Sequence, residues 1–162
     1  MILVALGSNQ TGPWGPPEQA VRRALEQLTG GGIRLRRASR LLVSAPFGVT
    51  GQPAFVNAVA EVKTALSPGA LLQRLHVIER MAGRRRNLRW GPRTLDLDLL
   101  DYHGLVWPPP ARPVLPHPGI AARIFVLAPI AEIAPRWRHP LTRRTAATML
   151  QRLDPVGEGG LL

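Results

Sequence analysis

Two aspartates with one residue between them, Asp96 and Asp98, follow closely on Arg84, Arg85, Arg86, Arg89 and Arg93, five guanidiniums within ten residues, and the stretch also holds Trp90, Gly91 and Pro92. From Leu95 to Leu100 apolar and acidic residues alternate. Read as a strand, Leu95, Leu97 and Leu99 turn to one face and Asp96 and Asp98 to the other. Two carboxylates side by side on one pleat repel each other, so a cation or a group of guanidiniums must offset them. Hard oxygen ligands that leave room for waters and phosphates suit Mg²⁺. Arginine forks bind phosphate oxygens in pairs and stay charged at any working pH, so the basic segment from Arg84 to Arg93 reads as a flexible loop able to clamp a polyphosphate. The residues thus suggest metal-assisted chemistry on a phosphorylated substrate. Taken alone, an Asp-x-Asp is more often the solvated face of an edge strand, and an arginine run a nucleic-acid patch.

The elements that must position these groups follow from periodicity. Apolar residues at Ala20, Val21, Ala24, Leu25 and Leu28 predict a first helix over 16–28, with prolines at its start and Gly30-Gly31-Gly32 as its stop. Met1 to Leu6 predicts a buried first strand, and 33–43 a basic, edge-exposed strand region. Residues 44–53 form a turn-rich loop of a length that often carries binding. From Phe55 to Val62 a strand places Val56, Ala58, Ala60 and Val62 on one face and Phe55, Asn57, Val59 and Glu61 on the other. Ser67-Pro68 caps a second helix whose core stripe is Leu71, Leu72, Leu75 and Ile78, and this helix delivers the arginines.

After the aspartate strand, His103-Gly104 predicts a tight turn into Leu105-Val106-Trp107, and 108–118 a stiff connection with six prolines ending near His117. A short helical or turn segment carries Arg123, an apolar run covers 124–127, and 142–153 predicts a last helix. Strand, helix, strand, strand, helix, strand is the split βαβ order of an α+β, ferredoxin-like fold. The expectation is a three-layer α-β-α sandwich with a mainly antiparallel sheet, formed by residues 1–162 as a single domain.

Composition narrows the class. At 162 residues and 45% hydrophobic content the chain can bury a sizeable core, and no apolar stretch approaches the roughly 20 residues of a membrane span. The start lacks the basic region of a signal peptide, so a cytoplasmic monomer is expected. With no cysteine, thiolate metal sites and thiol nucleophiles are excluded. The net charge of +11 comes from 20 arginines and one lysine, Lys63, against 10 acids, which points to an anionic ligand. No G-x-x-x-x-G-K-[ST] loop occurs, so nucleotide binding would use arginines and metal. The rival classes are a nucleic-acid module, a metal-dependent nuclease or nucleotidyl transferase, and a structural protein. Three phenylalanines and one tyrosine make a poor base-stacking platform, and nucleic-acid binding gives no reason for the Asp96, Asp98 pair.

Leu6-Gly7-Ser8-Asn9, Gln52-Pro53-x-Phe55-x-Asn57, the run from Arg89 to Asp98, Pro116-His117 and Arg123-x-Phe125 together resemble, in order and spacing, the 6-hydroxymethyl-7,8-dihydropterin pyrophosphokinases of folate biosynthesis. The resemblance covers nearly the whole chain. It implies that ATP gives its β,γ-pyrophosphate to the hydroxymethyl group of 6-hydroxymethyl-7,8-dihydropterin by direct in-line attack, leaving AMP, with no nucleic acid or membrane partner. Asp96 and Asp98 would hold two Mg²⁺ ions. Arg84 and Arg86 would close on the phosphates, and Arg93, His117 and Arg123 would contact the nucleotide. Ser44, Phe47, Phe55, Asn57, Trp90 and Phe125 would bind the pterin, Phe125 by stacking and Asn57 by reading the ring edge. Phe55 stands where some relatives carry tyrosine, so stacking is kept and a hydroxyl contact is lost.

Overall fold

The computed structural model describes residues 1–44, 53–84 and 93–153. Its elements run β1 Ile2–Ser8, α1 Pro17–Gln27, β2 Ile33–Ala38, β3 Leu42–Ser44, β4 Phe55–Thr64, α2 Pro68–Met81, β5 Asp96–Tyr102, a 3₁₀ turn Ile120–Ala122, α3 Ile124–Ile133 and α4 Ala146–Gln151. The sheet order is β2-β4-β1-β5 with β3 also paired to β4, and every pairing is antiparallel. The expected α+β sandwich is what forms.

Alternation sorts the strands between two cores. Ile2, Val4 and Leu6 of β1, Ala58, Ala60 and Val62 of β4, and Leu97 and Leu99 of β5 pack with Val21, Ala24, Leu71, Leu75 and Ile78 of α1 and α2. Leu3, Val59 and Leu100 face the other way and pack with Val126, Leu127 and Ile130 of α3 and Met149 of α4. Both helices of the first layer start at a proline in the first turn, where the missing N–H costs no hydrogen bond, and the Ser67 hydroxyl also accepts the N–H of Ala70.

Several boundaries differ from the periodicity. The basic region 33–43 is two strands rather than one, because Ser39 leaves the ladder: its N–H donates to the Val59 carbonyl and its hydroxyl accepts from the Val59 N–H. Leu72 is only partly buried, so the α2 stripe is Leu71, Leu75 and Ile78. The final helix is shorter than 142–153, beginning after the Thr145 cap. Leu105 to Trp107 forms no strand beyond the single bridge of Trp107 to Leu115. The apolar run 124–127 opens a helix that continues through Pro129. Burial of Val126, Leu127, Ile130 and Ile133 on one side of α3 outweighs the hydrogen bond that a proline removes.

A bulge between Leu3 and Val4 in the β1–β5 pairing matters for the site. It turns Leu100 and Asp101 to the same side of the sheet. There Asp101 accepts the Trp137 indole N–H at 2.7 Å and the Gly104 N–H at 3.0 Å, which makes it a structural carboxylate. Asp96 and Asp98 lie before the bulge and keep the strict alternation.

Candidate active site

Strands β4, β1 and the edge strand β5 meet at one end of the sheet, on the face that α3 and α4 cover. Gly7 lies opposite Asn57 on one side and Asp96 on the other, and Ala5 lies between Val59 and Asp98. A Cβ built at Gly7 would meet Asn57 Oδ1 at 3.3 Å and Phe55 Cδ1 at 3.6 Å, so Gly7 keeps open the space between an amide-and-ring pair and a carboxylate pair. Asn57 is 5% exposed and its amide donates to the Ser44 hydroxyl at 2.7 Å and the Leu42 carbonyl at 3.3 Å. Those bonds commit the NH₂ and leave the carbonyl oxygen over Gly7.

Asp96 is held by two guanidiniums. Arg84 Nη1 donates to its Oδ1 at 2.5 Å and Arg93 Nη1 to its Oδ2 at 2.7 Å. Arg84 also pairs at 2.5 Å with Glu79, a carboxylate on α2 that is 1% exposed and accepts the Leu97 N–H at 2.9 Å. Burial opposes ionisation of Asp96, and the charges and hydrogen bonds of Arg84 and Arg93 overcome it, holding the carboxyl below its usual range. Burial likewise works against the Arg84 cation, and Asp96 and Glu79 raise its pKa all the same.

Asp98 has the opposite environment. Among the described residues no hydrogen bond reaches its carboxylate, and His117 Nε2 stands 3.9 Å away, beyond hydrogen-bond range. Burial and then the neighbouring Asp96 charge push its carboxyl up to about 7, against the weaker pull of Arg123. A carboxylate only 35% exposed, with a like charge beside it and no donor, fits a place for a cation. Among the described residues no three His, Cys, Asp or Glu side chains converge as a ready metal cage. Two hard carboxylates instead suit an ion that brings its own waters and phosphate ligands, which is the habit of Mg²⁺.

His117 is anchored twice, by its N–H to the Leu100 carbonyl at 2.8 Å and by Nδ1, which accepts the Gly119 N–H at 2.9 Å. Burial, and then the charge of Arg123, lower its pKa to about 4. It is therefore a neutral imidazole whose Nε2 carries the proton and can donate. The Arg123 guanidinium lies 6.0 Å from the centre of the Phe125 ring at the start of α3.

The structure thus brings Asp96, Asp98, Arg84 and Arg93 together, sets His117 and Arg123 beside Asp98, and places Ser44, Phe55 and Asn57 across Gly7. Phe47, Arg86 and Trp90 lie outside the described residues. Sequence reasoning missed Glu79. The signal was present: Glu79 falls four residues after Leu75, on the buried stripe of α2, just before the arginine run. Asn9, just past the end of β1, ties two segments of the site's border together. Its Oδ1 accepts the Arg93 N–H at 2.7 Å, its own N–H donates to the Arg93 carbonyl at 3.0 Å, and its amide donates to the Pro53 carbonyl at 3.3 Å.

The chain is 46% identical over 139 residues to the 2-amino-4-hydroxy-6-hydroxymethyldihydropteridine pyrophosphokinase of Pseudomonas aeruginosa, an alignment covering 86% of this chain and 83% of that one. It is 39% identical over 163 residues to the protein of the same name from Synechocystis sp., covering 97% and 80%. It is 40% identical over 132 residues to the mitochondrial folate synthesis bifunctional protein of Arabidopsis thaliana, covering 82% of this chain and 23% of that longer one. Residues 3–135 match the profile of the 7,8-dihydro-6-hydroxymethylpterin-pyrophosphokinase family, and the chain belongs to that family.

Proposed function

We propose that this chain transfers the β,γ-diphosphate of ATP to the hydroxyl of 6-hydroxymethyl-7,8-dihydropterin, releasing AMP, as a step of folate biosynthesis. The observation that carries the reading is the carboxylate pair on one sheet face, with Asp96 neutralised by arginines and Asp98 lacking a donor, beside the Phe55–Asn57 pair across Gly7. The hydroxyl oxygen attacks the β-phosphorus in line, the bond from that phosphorus to the αβ-bridging oxygen breaks, and AMP leaves with the oxygen. Attack by a primary alcohol on phosphorus needs alignment and charge neutralisation more than a strong base.

Asp96 and Asp98 would hold two Mg²⁺ ions, which when bound supply charge neutralisation on the phosphates and a lowered hydroxyl pKa. Arg84 and Arg93, already aimed at this corner, exchange part of their bonding from Asp96 to phosphate oxygens, with Arg86 added from beyond the described residues. His117 donates Nε2–H, and Arg123 its fork, to the nucleotide. Phe55 and Phe125 offer faces to a flat heterocycle, and Asn57 with Ser44 reads the amide edge of the ring; Phe47 and Trp90, outside the described residues, are assigned to the pterin by the sequence resemblance alone. We take the chain to act as a single domain, as a monomer in the cytoplasm. Among the described residues no helix is long and apolar enough to cross a membrane.

The test is AMP release from ATP and Mg²⁺ with and without the pterin and with EDTA. AMP that forms only with pterin and magnesium, with diphosphorylated pterin as co-product, supports the reading. AMP formed without pterin would point to a nuclease or nucleotidyl transferase, and no turnover by folded protein would reopen nucleic-acid binding.

A further inference from the structure

Gly119 sits between the two cationic or donor side chains of the Asp98 corner and touches both. Its N–H donates to His117 Nδ1 at 2.9 Å. A Cβ built on its backbone would meet Arg123 Cζ at 2.7 Å and Nε and Nη1 at 3.0 Å. Three atoms of one guanidinium at nearly equal distance mean that the planar group lies flat in the volume where a side chain would be. The backbone itself needs no glycine, since φ is −83° and ψ −5°, an ordinary right-handed conformation open to alanine. The chain closes on itself here through Ile120 N–H to the His117 carbonyl at 3.3 Å and Arg123 N–H to the Ile120 carbonyl at 3.4 Å. The missing side chain therefore serves the neighbours and not the turn.

We propose that Gly119 is a positioning residue for the nucleotide end of the site: its bare Cα seats the Arg123 guanidinium, and its N–H fixes His117 with Nε2–H turned toward Asp98. The inference rests on the reading of His117 and Arg123 as nucleotide contacts. Nδ1, occupied as an acceptor, cannot carry the neutral ring's proton, so the tautomer is set by one backbone N–H. The seat gives Arg123 one orientation beside the Phe125 ring, which lowers the entropy lost when the fork engages an anion.

Gly119→Ala is the discriminating variant because it keeps the N–H and an accessible backbone while filling the seat. The expected result is a KM for ATP raised on the order of tenfold, with the affinity for pterin and the melting temperature unchanged. Acting through Arg123, the substitution should add less than about twofold to Arg123→Ala in a double-mutant cycle. A wild-type KM in Gly119→Ala, or the same fold-loss in the Arg123→Ala background as in wild type, would overturn the seat. ¹⁵N spectra of the imidazoles test the other half without any turnover: His117 should show a pyridine-like Nδ1 and a pyrrole-like Nε2, and the reverse tautomer would overturn it. If wild-type protein releases no AMP, or Arg123→Ala keeps the wild-type KM for ATP, the nucleotide reading fails, and the spectra still decide the tautomer.

Discussion

Asp96 and Asp98 are the same residue type, two apart on one strand, on one face, and their environments are opposed. Asp96 accepts from two guanidiniums and is driven below the usual carboxylate range, while Asp98 accepts no hydrogen bond among the described residues and is driven up to about 7. The difference comes from what the strand ends meet. Asp96 is level with the exit of α2, where Arg84 leaves the helix and Glu79 fixes it, and with Arg93, three residues upstream. Asp98 is one pleat deeper, level with His117 and Arg123 from the far side of the chain, and neither donates to it in this structure. One carboxylate belongs to the scaffold as well as to the site, and the other belongs to the site alone.

That contrast can be broken most directly by substitution. Asp98→Asn should lower turnover by at least about 10²-fold at saturating Mg²⁺, because it removes the carboxylate proposed to ligate the cation. In EDTA near neutral pH its melting temperature should equal or exceed that of wild type, since a half-buried charge beside Asp96 and without a donor is lost. Near-native turnover would sink the two-metal reading. Arg84→Ala should lower stability by about 3 kcal/mol in urea unfolding, because it strands Glu79 and half of Asp96 in a buried setting where the arginine is itself only 7% exposed. A cost under about 1 kcal/mol would show that the network is not structural. A milder case lies across the sheet: Gly7→Ala sets a methyl 3.3 Å from Asn57 Oδ1 and should raise the KM for pterin about tenfold with that for ATP unchanged. Equal effects on both substrates would place Gly7 elsewhere in the mechanism.

The legibility of the two carboxylates in the sequence was equal, and that of their surroundings was not. Alternation put Leu97 and Leu99 inward and both aspartates on the opposite face, and the buried leucines confirm it. The order of elements from β1 to α2 and on to β5 was legible, apart from the break at Ser39, because the strands carry apolar faces and α1 and α2 apolar stripes, the second capped at Ser67. Residue pairing across the chain was not. That Arg93 is held by Asn9, 84 residues away, or that Glu79 rather than water meets Arg84, depends on where elements dock, which no local period encodes. Helix α3 was hidden for a different reason: its β-branched, proline-interrupted run has low helix propensity, and burial against β4 overrides it. Asp101 shows the converse risk. It continues the acidic pattern of Asp96 and Asp98, and only the bulge at Leu3 assigns it to Trp137.

The finest test of the contrast uses pH in the absence of metal. Asp98, ordinarily near 3.9, titrates near 7 in the folded protein, so between those values the fold keeps a proton that the unfolded chain has released. Its contribution to stability is therefore present at low pH and is lost as pH rises through about 7. His117, ordinarily near 6.5 and lowered to about 4, works the other way: the unfolded chain takes up a proton that the fold refuses, so stability is lost as pH falls from about 6.5 toward 4. In wild type the two slopes oppose each other over that window. Asp98→Asn should leave the histidine slope and melt at lower temperature as the solution is acidified, whereas His117→Gln should leave the aspartate slope and melt at higher temperature. The measurement is the melting temperature of both variants in EDTA between pH 4 and 7. Slopes of the same sign would mean that the two groups do not occupy opposed environments, and saturating Mg²⁺ should flatten the slope of His117→Gln by holding Asp98 ionised across the range.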